Sequence, residues 1–208
     1  MKKLLALLVL SSSASLAQAA APRFALVTGE TVAQSADMIS GQFGWPGIEF
    51  GYRHGLNEKT DVGFVFGFLY SFESTSDTNF GILMGVPLRS TILRRDKLSI
   101  QVGITPGFTL YTRGAAAFAF NFPINGTLGV QVAPDLRIAA GADLVLKVRS
   151  TQGAAFYFEP IFGPAIEYYV DRQLSLSLDT RFGPVVTSEN GADTRFGFRV
   201  QIGLAYRL

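Results

Sequence analysis

The sequence predicts an all-β fold, an antiparallel up-and-down barrel of about ten strands. Three observations carry that expectation. From Gly47 onward apolar and polar residues alternate in successive runs, and strict alternation is the period of a half-buried strand. Brief polar interruptions separate the runs, a pattern that suits an all-β sandwich or barrel. No stretch carries a helix signal, and the apolar face of each run falls on even-numbered residues.

At the start of the chain, Lys2 and Lys3 precede an apolar run, Leu4 to Leu10, and Ala17-Gln18-Ala19 supplies a small-residue cleavage site. This is the pattern of a secretory signal peptide over residues 1–19, and the run is too short for the ~20 residues of a spanning helix. Removing Lys2 and Lys3 lowers the 18 basic residues to 16, equal to the 16 acids. A formally neutral mature chain excludes an electrostatic nucleic-acid binder. Without Cys there is neither a disulfide framework nor a lipidated cysteine.

The runs are Gly47 to Leu56, Thr60 to Phe72, Thr78 to Leu93, Lys97 to Thr112, Ala116 to Val132, Leu136 to Arg149, Ala154 to Val170, Gln173 to Thr187 and Thr194 to Leu208. Their connections alternate between two kinds. Asn57-Glu58-Lys59, Arg94-Arg95-Asp96, Ala133-Pro134-Asp135 and Asp171-Arg172 read as tight turns; Glu73 to Asp77, Arg113 to Ala115, Ser150 to Gly153 and Ser188 to Asp193 read as Ser/Thr/Gly loops. In a meander these two kinds sit at opposite ends.

Alternation leaves open which face is inside. A soluble barrel points its apolar face inward; a membrane-spanning one reverses this. The odd face holds most of the glycines, which would pack poorly on a wet outer wall but make room in a narrow lumen. It also pairs opposite charges: Glu49, Asp61, Asp143, Glu159, Glu167 and Asp179 against Arg53, Arg89, Arg137, Lys147, Arg149, Arg181, Arg195, Arg199 and Arg207. Such a mostly compensated set can fill a small lumen.

The closing octapeptide decides the direction. Gln201, Ile202, Gly203, Leu204, Ala205, Tyr206, Arg207 and Leu208 resemble the C-terminal assembly signal of bacterial outer-membrane β-barrel proteins, with Gln201, Gly203, Tyr206 and Leu208 at its defining positions. Leu208 stands where that family usually has Phe. The resemblance implies a membrane-spanning barrel over residues 47–208 in the outer membrane of a Gram-negative bacterium. Its partners would be outer-membrane lipid and the barrel-assembly machinery. It also places the C-terminus and tight turns in the periplasm, and the Ser/Gly loops outside.

Residues 20–46 are then a first strand or a plug. Bacterial single-chain barrels have an even strand number, so nine runs call for a tenth strand, with eight or twelve as alternatives. Phe24 and Leu26 keep the even phase but Ile39, Phe43 and Trp45 are odd, which demands a turn or bulge before Pro46-Gly47. A plug of residues 21–40 is the other expectation. Pro106, Pro123, Pro160 and Pro184 fall at similar distances from the tight turns and are expected to ring the outer rim, where a lost ladder donor costs least.

Chemistry is sparse. His54, the one His, is even and low, the wrong place for a Ser/His lipid hydrolase of the outer leaflet. No cofactor, metal or catalytic residue is called for. The expected function is non-enzymatic, a structural barrel or narrow pore with a charge-filled lumen; a barrel that binds or transfers a small apolar ligand is the alternative.

Overall fold

The computed structural model describes residues 24–70, 80–112, 117–150, 154–188 and 193–208. The expected signal peptide and the tips of the four Ser/Gly loops lie outside the described residues, as does Phe72. Within them the alternation folds as strands, because each run offers one apolar and one polar face at the two-residue period of a pleated sheet. Ten antiparallel strands close into an up-and-down barrel.

They are β1 (Asp37–Trp45), β2 (Gly47–Gly55), β3 (Thr60–Leu69), β4 (Gly81–Gly85 with Leu88–Arg95), β5 (Leu98–Ile104 with Gly107–Tyr111), β6 (Ala117–Ala133), β7 (Leu136–Ser150), β8 (Ala154–Tyr169), β9 (Leu174–Thr187) and β10 (Asp193–Arg207). Each pairs with its chain neighbour, and β10 seals against β1 from Met38↔Arg207 to Trp45↔Val200. Closure leaves an unpaired stretch on this side of β10, from Asp193 to Arg199, among the described residues.

The phase reverses in β1, as its odd apolar residues predict, and slips again in β4, which corrects the expectation of one phase through all nine runs. In β1 the odd residues face outward: Ile39 and Phe43 are exposed and Met38 is buried. The hairpin to β2 absorbs this reversal, since Phe43 pairs with Ile48. Gly44 sits there with φ 148°, where a Cβ would lie 2.0 Å from the Val200 carbonyl oxygen. The second change is a bulge in β4 between Thr91 and Leu93. Consequently Ile92 and Leu93 are both exposed, and Arg94, expected in a turn, belongs to a strand that runs to Arg95.

The burial pattern is inverted relative to a soluble domain. Ile48, Phe50, Phe120, Phe162, Ile202 and many like them are exposed, whereas Asp61, Arg89, Arg137, Glu159, Glu167, Asp179 and Arg181 are buried. The main apolar cluster inside, Phe24, Leu26, Val32, Met38, Tyr169 and Ala205, is built around residues 24–36, which precede β1 and lie within the barrel. The N-terminal segment is thus a plug followed by a strand, dividing between Ala36 and Asp37.

The wall is uneven. Strands β6 to β10 have 14 to 17 residues, but β1 and β2 have 9 each. The four prolines do not ring the rim. Pro123, Pro160 and Pro184 lie inside continuous strands, and Gly107–Tyr111 continues above Pro106. They follow one row of the ladder from β5 to β9, Pro123 pairing with Val145 and Pro160 with the neighbouring Leu144 of β7. The Thr105–Pro106 break in β5 lies beside Pro123, whose carbonyl accepts from Thr105 N–H. Pro160 and Pro184 face each other in the gap between Phe158↔Val186 and Phe162↔Phe182. Facing prolines strand fewer partners, so the wall can continue past them.

Candidate functional site: the lumen

The odd-face side chains of β2 to β10 meet inside the barrel at two levels. At the level of the tight turns they grip the plug. Glu167, fully buried, accepts from Leu26 N–H at 2.9 Å, Thr28 Oγ1 at 2.7 Å and Ser175 Oγ at 2.7 Å. Asp61 accepts from Val32 N–H at 2.8 Å and from Arg89 Nε and Nη2 at 2.9 and 2.6 Å. Arg89 Nη1 donates to the Ala25 carbonyl at 3.0 Å, and Tyr169 Oη to that of Phe24 at 2.8 Å.

Plug backbone groups taken off the ladder must find partners or pay a desolvation cost. The wall's carboxylates, guanidiniums and hydroxyls provide them. Glu30 of the plug adds ion pairs with Arg137 at 2.6 Å and Arg94 at 3.4 Å. Both partners of the Arg137 pair are shielded, so it depends on hydrogen bonding to offset its desolvation, whereas Arg94 is exposed at its end of the other pair.

Above the plug lies a cavity of about 240 Å³. Leu26 and Val27 of the plug line it on the tight-turn side. A charged cluster lines it from β7, β9 and β10, where Arg199 Nη2 donates to Asp143 and, at 3.4 Å, to Asp179; Arg181 pairs with Asp179 and lies 3.7 Å from Asp143. Val65, Leu69 and Leu83 face this cluster from β3 and β4. Cations outnumber carboxylates on the lining, with Arg53, Arg89, Lys147, Arg181 and Arg199 against Glu49, Asp143 and Asp179.

The remaining sequence-predicted charges are placed as follows. Lys147 pairs with Glu159 at 3.0 Å, and Arg149 stacks over the Tyr111 ring at 5.0 Å. Arg195 is exposed beside Asp193 at 2.7 Å. Arg207 stands at the last pair of the β10–β1 seam, opposite Met38. Of the terminal motif, Gln201 is buried inside while Tyr206 and Leu208 face outward. His54 is on the outer face, its Nδ1 2.8 Å from Asp37 Oδ1, which also accepts from Tyr52 Oη at 2.6 Å.

Sequence reading missed Glu30 and Arg94. Glu30 lies in a segment without strand alternation, and the β4 bulge turns Arg94 inward. The trace of that bulge is visible afterwards: Ile92 and Leu93 are consecutive apolar residues in an otherwise alternating run. Among the described residues no cluster of His, Cys, Asp or Glu could hold a metal ion. The chain matches no protein-family model, and it matches no curated protein sequence.

Proposed function

We propose that this chain is an integral outer-membrane barrel of a Gram-negative bacterium, exported through a cleavable signal peptide, whose blind lumen binds a small ligand instead of conducting solute. It acts without catalysis. The observation that carries the reading is the plug beneath the cavity: Leu26 and Val27 line it together with side chains of the barrel wall. A small barrel filled by its own segment has no through-path.

The membrane setting is supported by inverted burial, since an apolar outer band around a polar interior suits lipid and would be an aggregation liability in water. Ile202 tests it. Exposed in the middle of β10 and paired with Phe43 and Leu178, it should cost about 2–4 kcal/mol as Ile202→Arg in vesicles. Urea unfolding of the reconstituted protein reads this; a cost near zero would contradict a lipid-facing position. In planar bilayers the mature chain should be silent, and stable conductance steps would overturn the blind lumen.

A second reading, the narrow pore, is favoured by one observation. Much of the grip on the plug comes from wall side chains, so the segment could leave without unzipping a ladder. Conductance appearing only after Glu167→Gln would support it.

A further inference from the structure

We propose that the ligand is a single-chain amphiphile with an anionic head, which enters the cavity sideways over the short β1–β2 hairpin. This rests on the blind-cavity reading above. The head seats at Arg199, and the first part of the chain lies along Val65, Leu69 and Leu83.

The route is set by where pairing stops. On one side β10 is paired with β9 up to Thr187↔Asp193, but on the other its ladder to β1 ends at Trp45↔Val200. Among the described residues, no strand pairs with this side of Asp193 to Arg199. The wall here is a hairpin of 9-residue strands. At roughly 2.5 Å of height per tilted residue it rises about 22 Å, less than the ~25 Å apolar band. The notch above it therefore opens at acyl-chain depth in the outer leaflet.

The cavity reaches that notch. Gln42, Pro46 and Arg199 line it there, and Arg199 is the first inward residue of β10 above the last pair. Its apolar residues Val65, Leu69 and Leu83 come from β3 and β4 on one side of the hairpin, and Arg199, Arg181 and Asp179 from β10 and β9 on the other, where β10 pairs with β1. An amphiphile passing the notch would meet both in one step. A volume of about 240 Å³ is below the ~300 Å³ of an ordinary small-molecule pocket. It admits a head and part of one chain, and the open notch lets the remainder stay in lipid. Outside, Trp45 stacks on Phe198 at 5.6 Å and meets Tyr70 edge-on at 6.1 Å, an aromatic sill of the kind that suits a polar–apolar boundary.

Trp45 is the one Trp in the chain, so its fluorescence reports the sill. The mature protein, reconstituted in phosphatidylcholine vesicles, is titrated with 9,10-dibromostearate. Saturable quenching at about one acid per barrel is expected, whereas dibromophosphatidylcholine should quench only in proportion to its mole fraction. Arg199→Ala should weaken the acid by about tenfold or more, Arg199→Lys by less, and Leu83→Phe should lower affinity by filling the chain site. A brominated lysophosphatidylglycerol, run beside the acid, tells a lysolipid from a free fatty acid.

Quenching by the acid that never saturates, or that Arg199→Ala and Leu83→Phe both leave unchanged, overturns the proposal. With a silent planar bilayer, that result removes lateral entry alone. Conductance steps remove the blind lumen itself.

Discussion

The two levels of the lumen use the same residue types for opposite ends. Around the plug, Glu167, Asp61 and Arg89 are buried and bonded to backbone, Glu167 on Leu26, Asp61 on Val32 and Arg89 on Ala25. In the cavity, Arg199 and Lys147 keep partial solvent contact beside their carboxylates. Buried charges hold a structure only where every partner is supplied; left partly open, they remain able to take a ligand. The lower level reads as a latch and the upper as a site.

The sharpest way to break this contrast is to remove a latch carboxylate. Asp61→Ala leaves Arg89 enclosed without its partner and the Val32 N–H without its acceptor, a loss of about 3–5 kcal/mol, measured by urea unfolding in vesicles. A shift no larger than that of a cavity variant would erase the distinction between the levels. Next comes Gly129→Ala, whose Cβ would stand 2.0 Å from the Thr28 carbonyl oxygen. Because backbone must shift, about 1–3 kcal/mol is expected, with faster proteolysis of the plug. Gly126→Ala, with nothing within 4 Å of the new Cβ, is the control that should change neither.

A smaller effect than that of Asp61→Ala belongs to the cavity level. Lys147→Met takes one partner from the buried Glu159 carboxylate, and the expected loss is about 1–3 kcal/mol. Smallest is Asp171, exposed in a tight turn. Its carboxylate is held below the usual range by N–H donation from Gln173 at 2.7 Å and Leu174 at 2.8 Å. A lowered folded value stabilises fully above about pH 3.9 and is lost as pH falls through that lowered value. Asp171→Ala should therefore be less stable than the parent at neutral pH, and the two should converge only in strong acid.

Much of the barrel was legible because alternation is local. Val62 to Tyr70 shows its two faces without reference to any other strand, and the tight turn at Ala133 to Asp135 marks its own place. The odd phase of Ile39 and Phe43 was equally local; the bulge at Ile92 was harder, since it depends on how a neighbouring strand is met. The four prolines illustrate the limit: their spacing along the chain was visible, but not that Pro160 would face Pro184. In the lumen, residue types were readable and partnerships were not. Arg199 meets Asp143 across 56 positions of chain, and Glu167 meets Leu26 across 141.

By itself the sequence determined the all-β class, the strand count to within a hairpin, and which residues turn toward the polar face, because a two-residue period is a property of neighbours in the chain. Tertiary structure alone decided that residues 24–36 fill the lumen, which carboxylate holds which plug amide, and where the wall is low. Those depend on shear, bulges and closure, which bring distant segments to one level, and no local pattern encodes a distance across a barrel.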